Sequence, residues 1–133
     1  MKKIYIIDDD RDMVESISIV LKARQFEVAS QYNDENVVEN VKRYRPNLII
    51  LDVIFPENHS AGFEIAREIK ARNKLKNIPI IMLSAVNEKG IYMGKFGDQD
   101  MDNSWLPVNA FLEKPLQPKE LLLKIDDLLA VNN

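Results

Sequence analysis

Three short apolar runs constrain this chain more than anything else in it. They are Ile4-Tyr5-Ile6-Ile7, Leu48-Ile49-Ile50-Leu51 and Ile78-Pro79-Ile80-Ile81-Met82-Leu83. None alternates with polar residues, so neither face of such a segment can be left to water. All three are rich in β-branched isoleucine and short for helices. Strands covered on both faces read this way, and a parallel sheet with helices on each side supplies that cover. Two weaker strands are expected at residues 26–30 and 109–113.

Helical periods fill the intervals. Val14, Ile17 and Leu21 share one face, as do Val37, Val41 and Tyr44. Ile65 and Ile69 lie one turn apart, and Leu121, Ile125 and Leu128 repeat the pattern near the end. Pro46 stops the second helix, and Pro118 suits the first turn of the last. The alternation is β-α five times over, which predicts a doubly wound α/β sheet with right-handed crossovers. The last helix is expected to run to about Ala130, so residues 1–133 read as a single domain with no output domain.

Composition excludes several functions. Hydrophobic residues make 46% of the chain and charged residues 29%, the balance of an ordinary soluble globular protein. A net charge of −3 argues against a nucleic-acid surface, which is usually basic. Without cysteine there is no disulfide, thiolate metal site or cysteine nucleophile. After Met1-Lys2-Lys3 only four apolar residues precede three aspartates, too few for a signal peptide. No stretch approaches the roughly 20 apolar residues that span a bilayer. A cytoplasmic protein without membrane contact is expected.

In parallel α/β sheets the chemistry sits at the carboxyl ends of the strands. The first strand is followed by Asp8, Asp9 and Asp10, the third by Asp52, the fourth by Ser84 and the fifth by Lys114. If the first and third strands are neighbours, their aspartates converge. Two like charges 4 Å apart repel by about 1 kcal/mol in water and about 4 at an effective dielectric of 20. Such a cluster needs positive charge. Lys114 offers one unit, and a hard divalent cation offers two; few protein ligands and several waters favour Mg²⁺ over Ca²⁺. This is the equipment of phosphoryl transfer, with a carboxylate able to serve as nucleophile. Asp10 and Asp12 also stand where residues that cap a helix stand.

Four segments together carry a resemblance: Ile6-Ile7-Asp8-Asp9-Asp10, Leu51-Asp52-x-x-Phe55-Pro56, Met82-Leu83-Ser84-Ala85 and Phe111-Leu112-Glu113-Lys114-Pro115. Over essentially its whole length the chain resembles a response-regulator receiver domain. The resemblance implies a flavodoxin-like five-stranded sheet of order 2-1-3-4-5. It implies that Asp52 accepts phosphate from a phosphohistidine on a sensor histidine kinase or phosphotransfer protein. Asp9, Asp52 and the main-chain carbonyl of Ile54 would bind Mg²⁺ directly, and Asp8 through a water. Lys114 would pair with a phosphate oxygen, and Ser84 would bond another and move on phosphorylation. Phe111 would be the aromatic switch, and the Lys114-Pro115 bond is implied to be cis. Such a module catalyses only its own phosphotransfer and dephosphorylation. It signals by presenting the face around its fourth and fifth helices to a downstream partner protein, without nucleic acid.

The chain departs from the family pattern in three places. Five residues, 57–61, separate Pro56 from Gly62, a lengthened loop holding the only histidine, His59. From Ser84 to Lys114 the chain is longer than usual by about two helical turns. That stretch carries Gly90, Gly94 and Gly97 with Tyr92, Met93, Phe96, Met101 and Trp105, read either as a partner surface or as cover for the core. Within it Asp98-x-Asp100-x-Asp102 imitates half a calcium loop, but Asn103 and Asn109 stand where glycine and glutamate belong. Lastly, Ile54 and Val86 are apolar at positions flanking the water's approach to Asp52, which predicts slow dephosphorylation. Two rivals remain: a haloacid-dehalogenase-like phosphatase with Asp8 as nucleophile, and a binding module that works without phosphate.

Overall fold

The apolar runs become the middle of a five-stranded parallel sheet of order β2-β1-β3-β4-β5. The computed structural model describes residues 1–52, 61–85 and 108–131. The elements are β1 (Lys3–Ile7), α1 (Arg11–Ala23), β2 (Glu27–Gln31), α2 (Val37–Tyr44), β3 (Leu48–Asp52), α3 (Ala61–Lys70), β4 (Ile80–Ala85), β5 (Ala110–Lys114) and α4 (Pro118–Val131). All five residues of β3 are buried, as a central strand covered on both faces requires.

Successive side chains of a strand point to opposite faces, so the sheet divides its isoleucines between two cores. Tyr5, Ile7, Ile49, Leu51, Ile80 and Met82 pack with α2 and α3. Ile4, Ile6, Leu48, Ile50, Ile81 and Leu83 pack on the other face with Val14, Ile17 and Leu21 of α1 and Leu121 and Ile125 of α4. Among the described residues no helix is long and apolar enough to cross a membrane.

Three boundaries differ from the sequence expectation, each for a local reason. β4 begins at Ile80, not Ile78, because the proline nitrogen at 79 cannot donate to a ladder. There the Ile78 amide turns back to the Leu75 carbonyl at 3.0 Å, and the Pro79 carbonyl accepts from Ile49 at 2.9 Å. β2 begins at Glu27 because the Phe26 amide closes the end of α1 on the Leu21 carbonyl at 3.1 Å. β5 begins at Ala110 because Asn109 grips Ile80 twice: its amide donates to the Ile80 carbonyl and its side-chain oxygen accepts from the Ile80 amide, both at 2.9 Å. Gly62, read as a loop glycine, lies buried in the first turn of α3. The fourth of the five expected helices falls outside the described residues. So do His59, the 98–102 aspartates and the apolar residues from Tyr92 to Trp105.

Candidate functional site

β1 and β3 pair directly, with Ile7 opposite Leu51, so the residues at their carboxyl ends converge. Asp8 just beyond β1 is wholly buried, and Asp52 at the end of β3 is 2% exposed. Asp9, the next residue, is exposed. One carboxylate oxygen from each of Asp8, Asp9 and Asp52 lies within 4.8 Å of the others. Lys114 closes the group from β5. Its Nζ lies 3.0 Å from Asp8 Oδ2 and 3.3 Å from Asp52 Oδ1.

Hydrogen bonds fix the loop after β1 that carries Asp8 and Asp9. Asp8 Oδ1 accepts the Asp10 amide at 2.9 Å, and the Asp8 amide donates to the Gln31 carbonyl at 3.2 Å. Asp10 in turn caps α1 by accepting the Met13 amide at 3.1 Å. The capping role therefore falls to Asp10, while Asp12 sits in the first turn of α1. Asp10 thus anchors the loop and adds no oxygen to the close cluster.

One lysine does not balance three carboxylates, and the proton affinities show it. Burial, then the neighbouring Asp8 charge, pushes Asp52 up to about 7 against the opposing pull of Lys114. Burial likewise raises Asp8, with the Asp10 amide and Lys114 opposing it. Burial alone would lower Lys114, but the charges of Asp8 and Asp52 outweigh it and hold the ammonium above its ordinary value. A hard cation fits this donor set: three carboxylate oxygens in reach, two of them desolvated and under-compensated.

Ser84 in β4 is buried, 3% exposed, and its Oγ has no hydrogen-bond partner among the described residues. A buried hydroxyl left so is costly, of order 1–3 kcal/mol, unless a ligand completes it. Phe111 in β5 lies half-buried opposite Met82 and shares with Ser84, Glu113, Lys114 and Gln117 a cleft of about 380 Å³. The Lys114-Pro115 bond is cis. A wider cleft of about 630 Å³ runs from Asp10, Met13 and Ser16 of the α1 side to Lys114, Pro115 and Leu116. Ile54 and Val86, the expected third metal ligand and water-access flanks, lie outside the described residues.

The sequence reading did not single out Gln31 or Arg11. The Gln31 side chain accepts from Tyr5 Oη at 2.6 Å and Asn40 Nδ2 at 2.9 Å and donates to the Asn33 and Glu35 carbonyls. These bonds fix Gln31 at the end of β2, where its own carbonyl accepts the Asp8 amide. Arg11 stacks 4.2 Å over the Tyr32 ring beside the acidic loop. Neither position has a periodicity or spacing that marks it.

Comparison with known proteins points the same way. The family model described as response regulator receiver domain matches residues 4–126. The chain is 28% identical over 128 residues to the phosphate regulon transcriptional regulatory protein PhoB of Pseudomonas aeruginosa, covering 96% of this chain and 52% of that one. It is 29% identical over 133 residues to the transcriptional regulatory protein GltR of the same organism, covering 96% and 49%. The chain thus spans about half the length of the curated relatives it matches. Among solved structures it resembles the N-terminal domain of the nisin resistance regulator NsrR, a lantibiotic response regulator. There the identity is 27% and the TM-score 0.78, over 97% of this chain and 98% of that one. It also shares the fold of the chemotaxis response regulator CheY4 of Vibrio cholerae, at 23% identity and TM-score 0.78, over 96% and 98%.

Proposed function

This chain belongs to the response regulator receiver domain family, and from that premise we propose that it is a switch thrown by phosphorylation of Asp52. The phosphoryl donor is a phosphohistidine on a sensor histidine kinase or phosphotransfer protein. The observation that carries the reading is Lys114, whose Nζ sits within 3.3 Å of carboxylate oxygens on both Asp8 and Asp52.

Chemically, an Asp52 oxygen forms a bond to phosphorus as the bond to the donor imidazole nitrogen breaks, and that nitrogen takes up a proton. Lys114 then turns from the carboxylates to a phosphoryl oxygen, and the Ser84 hydroxyl donates to another. Asp9, Asp52 and the Ile54 carbonyl would hold Mg²⁺, with Asp8 acting through a water. When bound, that ion supplies the positive charge that offsets the phosphoryl oxygens and the clustered carboxylates. Ser84 and Phe111 line one cleft, so movement of Ser84 toward phosphate frees room for the ring and alters the surface offered to a downstream partner protein.

In this reading the chain is no enzyme beyond its own phosphotransfer and dephosphorylation, and it works in the cytoplasm. Ile54 and Val86 keep their proposed place beside the attacking water, which makes the phosphorylated state long-lived. No nucleic acid is assigned to residues 1–133. The relatives named as transcriptional regulators are matched over about half their length, and the matched residues here are net acidic.

Intact mass after treatment with acetyl phosphate and Mg²⁺, on wild type and Asp52→Asn, tests the proposal. One phosphoryl adduct that needs Mg²⁺ and vanishes in the variant is expected. An adduct that survives in Asp52→Asn, or maps to Asp8, would return the haloacid-dehalogenase-like reading. No adduct in wild type would favour a module that binds without phosphate.

A further inference from the structure

At the amino end of the sheet, the turn after α2 and the α3–β4 connection enclose a cleft of about 650 Å³. Its floor is Pro46, Leu75 and Ile78, and its rim is Lys42, Arg45 and Lys74. We propose that this cleft docks an acidic peptide segment of a partner protein, seating one aliphatic side chain on the floor, whatever the state of Asp52.

Charge is the first argument. Segments 42–47 and 71–78 contain no acidic residue, yet they hold six of the chain's 18 lysines and arginines in a molecule of net charge −3. All six are exposed. Charge of one sign focused on a concave site steers oppositely charged partners to it. Lys42 has an acidic neighbour, Glu39 at 3.7 Å, in an exposed pair of the kind worth little. The Arg45 and Lys74 side chains enter no ion pair among the described residues.

Backbone strain is the second. Arg45 closes α2 at φ 56°, the left-handed region where glycine is the default. An arginine there costs about 1 kcal/mol that glycine would not. The strained arginine is one of the three cations on the rim.

Shape selects the occupant. No aromatic ring lines the cleft, so bases have nothing to stack on. Duplex DNA or an anionic bilayer would meet a basic face without needing a hole with an apolar floor. A peptide that places an aliphatic anchor in the hole and carboxylates on the rim uses both features. The cleft lies at the far end of β3 from Asp52, about 15 Å along a five-residue strand. A partner held there leaves the phosphoacceptor open and raises the local concentration of the switch beside it.

The test is amide chemical-shift mapping on the labelled full chain. The probe is a blocked hexapeptide with a central leucine flanked by glutamates. Controls replace the leucine with serine, replace the glutamates with lysines, or use a short duplex DNA or phosphatidylglycerol vesicles. Shifts confined to residues 42–47 and 74–78, equal with and without acetyl phosphate and Mg²⁺, are expected. Binding should fall about tenfold or more in Lys42→Glu/Arg45→Glu/Lys74→Glu, and by a smaller factor in Lys74→Glu alone, with phosphorylation of Asp52 intact. Any of four results would overturn the proposal: no shifts at millimolar peptide, equal binding by the serine peptide, undiminished binding by both variants, or tighter binding of DNA or vesicles. A change in affinity on phosphorylation would overturn its independence of the switch.

Discussion

The two ends of the sheet are made by the same strands and differ in how they treat their polar atoms. At the amino end they are almost all paired. Lys70 Nζ donates to the Ile78 carbonyl at 2.7 Å, the Lys76 carbonyl at 3.0 Å and Asn109 Oδ1 at 3.4 Å. Asn47 Oδ1 accepts the Lys3 amide at 2.7 Å, and Lys3 Nζ reaches the Tyr44 carbonyl. The buried Tyr44 hydroxyl is the exception, without a partner among the described residues. At the carboxyl end two desolvated carboxylates share one ammonium, and Ser84 Oγ has no hydrogen-bond partner among the described residues. Polar groups satisfied within the protein hold the fold together. Those left unsatisfied are a standing cost that a ligand can remove.

The largest test of that contrast removes the shared cation. Lys114→Met leaves Asp8 and Asp52 buried without a counter-charge. A loss of about 3 kcal/mol is expected at neutral pH. Urea unfolding should show the loss shrinking as pH falls below about 7 and Asp52 takes up its proton, since burial raises the proton affinity of both carboxyls. If Lys114→Met unfolds like wild type at pH 7.5, the lysine is not what holds the cluster.

Asp52→Asn should move stability the other way. The folded value of about 7 lies above the ordinary 3.8, so the charged carboxylate opposes folding. That penalty begins as pH rises past 3.8 and is complete above about 7. The asparagine variant should therefore gain about 1–3 kcal/mol at pH 7.5 without Mg²⁺, and almost nothing at pH 4. Mg²⁺ should raise the melting temperature of wild type and leave the variant's unchanged. A destabilised Asp52→Asn would contradict the idea that this end stores a cost.

At the paired end, Lys70→Met leaves three oxygens without their donor, and a loss of about 1–2 kcal/mol is expected. Burial lowers the Lys70 ammonium to about 8 from 10.5, so the folded chain sheds this proton before the unfolded chain does. Wild-type stability relative to the variant should accordingly rise between pH 8 and 10.5. Smallest of all, Lys74→Glu on the exposed rim should change stability by no more than about 0.5 kcal/mol. A larger shift would mean that the basic rim is structural after all.

The sequence made much of this legible. β1, β3 and β4 stand out because burial on both faces leaves no polar residue to break the run. Asp8, Asp52, Ser84 and Lys114 stand out because each interrupts or follows a strand where a packed core would have no use for it. The boundaries slipped where one atom decided them: the missing hydrogen of Pro79, and the Asn109 side chain standing in for a strand partner. Which of three consecutive aspartates is buried was not legible, since it depends on contacts distant in sequence: the Gln31 carbonyl of β2 on the Asp8 amide and Lys114 of β5 on the Asp8 carboxylate. The basic cleft was hidden for another reason. Its two halves lie about 30 residues apart in the chain, and neither is a motif alone.

The double grip of Asn109 on Ile80 has a consequence for how such a molecule can change over generations. The chain departs from β4 at Ala85 and is fastened again at Asn109, on the opposite end of the same strand. With both of those anchor points tied to the sheet, the number of residues between them is nearly free: each doubling of a loop's length adds only about 0.6 kcal/mol to the cost of closing it. Insertions can accumulate and be tried there while β5 keeps its register and Lys114 its place. The fastening lets the chain length between Ala85 and Asn109 vary while Lys114 keeps its place beside Asp8 and Asp52.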